Sequence, residues 1–176
     1  MNSKRILWLA AAVLWMAVIF SFSNQKAAAS SEISGSLSSR VIGEVDQVFH
    51  LHWQESEIKT YVQWIEHPIR KAAHMTEYAI LAVLLSGNFM QYEALKRKCF
   101  LWAFLGTAGY AATDEFHQLF IEGRSGEFKD VCIDSLGGLI GLILAYAVIF
   151  WWKKRRKNDK NRSCYGNYMQ LLQKKY

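Results

Sequence analysis

Four stretches of this chain carry almost no charge, and each is long enough to cross a membrane as a helix. They run from Ile6 to Phe22, Ala72 to Met90, Cys99 to Phe120 and Val131 to Trp152. A helix rises about 1.5 Å per residue, so these lengths reach roughly 26 to 33 Å, the thickness of a bilayer's hydrocarbon core. The chain has 21 Lys and Arg and 15 Asp and Glu in 176 residues. Of these, Glu77, Asp114, Glu115 and Asp134 alone fall inside the stretches, with Asp130 at the rim of the fourth. Charge segregated so completely argues against a water-soluble globule. One Pro and three Cys exclude collagen-like, disulfide-stapled and disordered classes. The expected fold is all-α, an integral membrane bundle of four transmembrane helices over residues 1–152, followed by a basic tail over 153–176.

Basic residues flanking a membrane helix stay on the cytoplasmic side. Lys4 and Arg5 precede the first stretch, Lys96, Arg97 and Lys98 join the second to the third, and Lys153, Lys154, Arg155, Arg156 and Lys157 follow the fourth. Both ends are therefore expected inside the cell, and the protein in the cell membrane as a multi-pass chain. The net charge of +6 is then a consequence of topology and of contact with anionic lipid, with no nucleic-acid partner. A basic start, an apolar run and Ala27-Ala28-Ala29 also resemble a cleaved signal peptide, but the run is longer than such peptides use, so a retained span is expected. Cys99 and Cys164 fall on the reducing inner side and Cys132 stands alone near the outer face, so no disulfide framework is readable.

Residues 23–70 form the long outer connection. Its serine-rich opening, Ser30 to Ser39, reads as loop. Beyond it Val41, Ile42, Val45, Val48 and Phe49 recur at helical spacing, as do Ile58, Tyr61, Val62, Ile65 and Ile69. Two amphipathic helices are expected there, lying with Trp53 and Trp64 in the headgroup layer as a lid, or else a small flexible loop. Pro68 suits the first turn of the second span, where its missing N–H costs nothing.

A charged side chain inside a bilayer is costly, so each one needs a protein or water partner and is a functional candidate. In the second stretch Lys71, His74, Glu77 and Tyr78 fall within about 120° of one another on a helix. In the third, Asp114, His117 and Gln118 share a face, with Glu115 about 100° to one side. In the fourth, Asp130, Asp134, Gly137 and Gly141 line up. With the chain reversing at each crossing, all of these belong to one leaflet, together with Ser23, Asn24 and Gln25 at the end of the first. The site therefore faces the extracytoplasmic side. The short Glu122-Gly123-Arg124-Ser125-Gly126-Glu127 turn can hold Arg124 over the acidic cluster, where its guanidinium would neutralise carboxylates or clamp an anion. Gly137-x-x-x-Gly141 allows close helix contact, most simply within the bundle, and the sequence leaves a homo-oligomer open.

These fragments carry a resemblance. Phe22-Ser23-Asn24-Gln25, Lys71-x-x-His74-x-x-x-Tyr78, Asp114-Glu115-x-His117-Gln118, Gly123-Arg124 and Asp130-x-x-x-Asp134-x-x-Gly137, in that order, resemble the VanZ family over roughly residues 8 to 150. The family consists of small bacterial membrane proteins associated with low-level resistance to the lipoglycopeptide teicoplanin, without altering the peptidoglycan precursor. The resemblance implies a cell-envelope role, with Lys71, His74, Tyr78, Asp114, Glu115, Gln118, Arg124 and Asp130 as matching positions. Asp134 stands where the family pattern expects Asn, which adds a negative charge.

Several readings remain open on the residues alone. The polar stripes can be a buried ion-pair network that holds the helices in register. Against this, Asp114, Glu115, Asp130, Asp134 and Glu77 face only Lys71, Arg124 and up to two protonated His, an acidic excess for a purely structural network. As a binding protein, the chain would use an outward pocket of Lys71, His74, Tyr78, Asp114, Glu115, Gln118, Arg124, Asp130 and Asp134 to hold a membrane lipid, a lipid-linked cell-wall intermediate or a glycopeptide. As an enzyme, it would use His74 or His117 as base and Glu115 or Asp114 as acid on an envelope lipid. His74-x-x-Glu77 and Asp114-x-x-His117 could also bridge a divalent metal between two helices, although no cofactor is specified by any complete signature. A proton-coupled transporter would need a polar path through the inner half, where Ser86, Asn88, Thr107 and Tyr146 are the main polar groups.

Overall fold

The computed structural model describes residues 3–173, without the side chains of residues 27–29 and 158–173, so that Cys164 and most of the basic tail lie outside the described side chains. The chain is all-helical. Among the described residues six helices follow one another: α1 (Ser3–Ser23), α2 (Ala27–Phe49), α3 (Glu55–Phe89), α4 (Glu93–Lys96), α5 (Cys99–Gln118) and α6 (Phe128–Gln173). Among the described residues, two helices are long and apolar enough to cross a membrane, α1 and the Phe128–Lys157 part of α6. Little of either is buried within the protein. Leu7, Leu14 and Ile143 are each more than half exposed, as expected of helices whose solvent is lipid.

Two compact units divide the chain inside α6, Met1–Leu142 and Ile143–Tyr176. In the second, Arg155 lies 5.2 Å from the centre of the Trp151 ring and Arg156 4.3 Å from that of Trp152. The first contains the helix bundle. α1 runs antiparallel to α3: Trp15 donates its indole N–H to the Glu77 carbonyl at 2.9 Å, and Trp8 packs on Gly87. α5 packs on both, with the Tyr110 hydroxyl donating to the Met16 carbonyl at 2.7 Å. The core between them is Ile19, Tyr78, Leu81 and Ala111.

The start of α6 runs alongside α3 and touches it through glycine. A Cβ on Gly137 would collide with the Met75 backbone, and one on Gly141 would come within 2.6 Å of the Ala79 carbonyl oxygen. Helices in lipid gain nothing from burying apolar surface against each other, so backbone approach through small residues supplies the packing. The Gly137-x-x-x-Gly141 spacing is thus used within the chain.

Two local expectations are corrected. The serine-rich stretch is helix, forming the first half of α2. Ser34, Ser38 and Ser39 donate to the carbonyls of Ser30, Ser34 and Gly35, each four residues back, so their hydroxyls need no water and leave the helix intact. Pro68 does not open a helix: it lies inside the 35-residue α3, which fuses the second amphipathic segment to the second apolar stretch. That helix starts at a Gln54–Glu57 capping box, with Glu57 accepting the Gln54 backbone N–H at 2.8 Å. Tertiary contacts on either side of Pro68 hold it helical: Ser34 of α2 donates to Glu66 before it at 3.1 Å, and Arg70 after it donates to Ser31 of α2 at 2.8 Å.

Candidate functional site

At one end of the bundle, α1, α3, α5 and α6 bring their polar side chains together. Lys71 of α3 forms an ion pair with Asp130 of α6, each side chain about a fifth exposed (22% and 20%). Gln118 of α5 donates to Ser23 Oγ of α1 at 3.0 Å and to Asp114 Oδ2 at 3.3 Å. Glu115 Oε2 accepts the Glu127 backbone N–H at 3.0 Å and so ties α5 to the start of α6. Lys26 and Glu122 close the rim with an exposed 2.6 Å ion pair.

The turn between α5 and α6 is shaped by its glycines. Gly123 has φ 77°, a left-handed conformation that favours glycine. At Gly126 a Cβ would strike the Glu115 carbonyl and Leu119, so the turn folds tightly against the end of α5. This geometry delivers Arg124 to the end of α1, where its Nε donates to the Gln25 carbonyl at 2.8 Å and Nη2 to the Phe22 carbonyl at 3.4 Å. The guanidinium is held by main-chain carbonyls, with no carboxylate at ion-pair distance among the described residues. Burial, and then the nearby Arg70 charge, push its pKa below the usual arginine value.

Between these elements lies a cavity of about 410 Å³. Of the expected site residues it brings together Lys71, His74, Glu115, Gln118, Arg124, Asp130 and Asp134. Tyr78 and Asp114 are instead buried in the bundle behind it. His117 turns away from the cavity, its ring 4.7 Å from that of Phe20 and its Nε2 3.4 Å from Asn24 Oδ1. His74 Nδ1 and Glu77 Oε2 are 3.5 Å apart, close enough to interact as charges, yet neither atom has a hydrogen bond.

The walls also hold residues that the apolar stretches did not point to: His67, Arg70, Glu127 and Lys129. With them, Arg70, Lys71, Arg124 and Lys129 face Glu115, Glu127, Asp130 and Asp134, so the acidic excess expected from the sequence is absent from the cavity itself. Arg70 is readable in retrospect, because Glu66, Arg70 and His74 follow at i, i+4 and i+8 and extend the second stretch's polar stripe by two turns. Arg70 Nη2 donates to Glu66 at 2.6 Å and to Ser31 Oγ of α2 at 2.8 Å. Among the described residues no group of three or more His, Cys, Asp or Glu could hold a metal.

This arrangement of sequence motifs agrees with the comparison to known families. Residues 8–151 match the VanZ/LLP1 family. The chain belongs to that family. No curated protein and no solved structure matches it. Family membership and the two long apolar helices make it a membrane protein. As a VanZ-like envelope protein, it gathers Lys71, His74, Glu115, Gln118, Arg124, Asp130 and Asp134 at one end of its bundle.

Proposed function

We propose that the polar cavity is an extracytoplasmic binding site for an amphiphilic envelope component, either a lipid-linked cell-wall intermediate or a glycopeptide such as teicoplanin, and that its occupancy contributes to glycopeptide tolerance. In this reading the chain crosses the membrane four times with both ends inside, and the cavity opens at the outer leaflet. One observation carries it: charged side chains from α3, the α5–α6 turn and α6 line about 410 Å³ at one end of an apolar bundle, the size of a small-ligand site with walls suited to a polar head. A network that only held helices together would close on itself, whereas Lys129, Arg70 and Arg124 line open space.

The test is titration of the purified chain in nanodiscs with teicoplanin and with a lipid-linked cell-wall precursor, alongside a Lys129→Ala variant. Lys129 is exposed and makes no ion pair among the described residues, so the fold should tolerate its loss. The expected result is saturable binding of one of the two, weakened at least tenfold in the variant with an unchanged thermal midpoint. No saturable binding of either would overturn the proposal. Lipidomics of a deletion strain, paired with teicoplanin sensitivity, would show which ligand matters in the cell.

A second reading rests on His74, a cavity-wall side chain with Glu77 3.5 Å from its Nδ1 and with Glu115 and Asp134 in the same walls. As an acid/base enzyme on an envelope lipid, the chain would use His74 and Glu115; His117, facing α1, would have no part in it. Turnover of a lipid-linked substrate that His74→Ala abolishes, with folding intact, would favour this reading over binding alone.

A further inference from the structure

A second cavity, of about 210 Å³, lies beside the polar one along the first turns of α2. Phe22, Ile33, Leu37, Ile69 and Ala73 give it a largely apolar lining. Three side chains, Arg70, His74 and Arg124, belong to the walls of both cavities. Two guanidinium groups and an imidazole therefore stand on the partition between a charged chamber and an apolar one. In a phosphorylated lipid the phosphate occupies the same position, at the junction between a polar head and a hydrocarbon chain.

The electrostatics of the partition ask for an anion. Arg70 and Arg124 are close enough for the Arg70 charge to disfavour protonation of Arg124, second only to the effect of burial. Both are held by other contacts: Arg124 by the carbonyls of Gln25 and Phe22, Arg70 by Glu66 and the Ser31 hydroxyl. Arg70 Nε is buried with no acceptor. Donors fixed in place with charge left to neutralise are what a phosphate needs, since a guanidinium presents a planar fork to its oxygens. Glu66 pairs with Arg70 at one edge, whereas Asp114, Glu115 and Glu77 act on Arg124 only from beyond ion-pair distance, so Arg124 is the less closely matched charge of the two.

Building on the envelope-binding reading, we infer that this partition is the phosphate site of a lipid phosphate. The phosphate sits between Arg70 and Arg124, the polar head extends into the larger cavity, and the first methylenes of the chain occupy the smaller one against Ile33, Leu37 and Ala73.

The probe is decyl phosphate, titrated calorimetrically into the purified full chain in a neutral maltoside detergent, with decanol and inorganic phosphate as the two halves of the ligand. Decyl phosphate is expected to bind at least tenfold more tightly than either half. Arg70→Gln and Arg124→Gln should each weaken it at least tenfold. Ala73→Trp, at an exposed position on the wall of the apolar cavity, should weaken decyl phosphate at least fivefold and leave inorganic phosphate unchanged. Inorganic phosphate binding as tightly as decyl phosphate would overturn the inference, and so would an Ala73→Trp variant of unaltered affinity. If the arginine variants lose their fold, Ala73→Trp and Leu37→Trp still decide. Should decyl phosphate show no preference while the teicoplanin or precursor titration remains sensitive to Lys129→Ala, the phosphate partition fails and the envelope-binding reading stands.

Discussion

Lys71 and Asp130 show how a single pair can join two helices and shape a cavity wall at once. Each side chain is about four-fifths buried, so removing one leaves the other's charge poorly solvated. Lys71→Met or Asp130→Leu alone should cost about 1 to 3 kcal/mol, below the fully buried range because water still reaches the pair. Replacing both should cost less than the two losses added, by about 1 kcal/mol or more, because no orphan charge remains. Denaturant unfolding of the four-member cycle in detergent measures this, and strict additivity would show that the pair is not coupled. Lys71 and Asp130 stood out in the sequence as polar residues in line with the stripes at the ends of the second and fourth apolar stretches, though their pairing did not, and His74, Glu115 and Asp134 stood out as polar residues within such stretches. The sequence said less about direction. His117 and Gln118 differ by about 100° around α5, so one faces Phe20 and Asn24 while the other reaches Ser23 and Asp114. Arg70 and Lys129 were missed because they lie outside the apolar stretches, where a charge is ordinary and only the fold gives it a cavity to line.

At the scale of helices, contact between α3 and α6 depends on two positions without side chains. Gly137→Leu would drive its side chain into the Met75 backbone, which cannot yield as a flexible side chain would. A loss of about 3 kcal/mol or more is expected, seen as a lowered thermal midpoint and weakened ligand binding. Gly109→Ala, in α5 with nothing within 4 Å of the added atom, should leave stability unchanged or raise it by up to about 1 kcal/mol. Equal effects of the two would refute the close-contact account. The helices themselves were legible from their apolar periodicity, but their ends were not. Serines that bond back to their own helix, and a Pro68 overridden by contacts on both sides, are decided by tertiary structure that no local propensity contains. The exposed start of α3 offers a further check. Glu55, 2.9 Å from Lys59, has its carboxyl held below the usual range by that lysine. A lowered folded pKa stabilises the helix start above the ordinary carboxylate pKa, and the contribution is lost as pH falls through the folded value. Amide exchange in the first turn of α3 should therefore accelerate as pH falls, after correction for intrinsic rates, and Glu55→Gln should flatten that dependence.

For the whole molecule, both proposals depend on the cavity end of the bundle facing outward. The cavity residues and the basic residues Arg5 and Lys96 to Lys98 sit at opposite ends of the bundle in the first unit. α1 carries Arg5 near Tyr92 at one end, with Cζ 4.9 Å from the ring, and Ser23 bonded to Gln118 at the other. In the proposed orientation, the Arg5 end, with Lys96, Arg97 and Lys98, would face the cytoplasm, as the positive-inside asymmetry expects. One labelling experiment decides the matter. With Cys99, Cys132 and Cys164 replaced by Ser, single cysteines are placed at Ser39 on exposed α2, at Ser125 on the cavity rim and at Glu93 in the opposite turn. A membrane-impermeant maleimide applied to intact cells should modify the first two and reach position 93 only after permeabilisation. Labelling of positions 93 and 125 from the same side would place both ends of the bundle in one compartment, and a cavity reached only after permeabilisation would put the site in the cytoplasm. Either result would remove the outer-leaflet amphiphile as its ligand. The expected pattern would leave Arg124 where a lipid phosphate arriving from the outer leaflet can meet it.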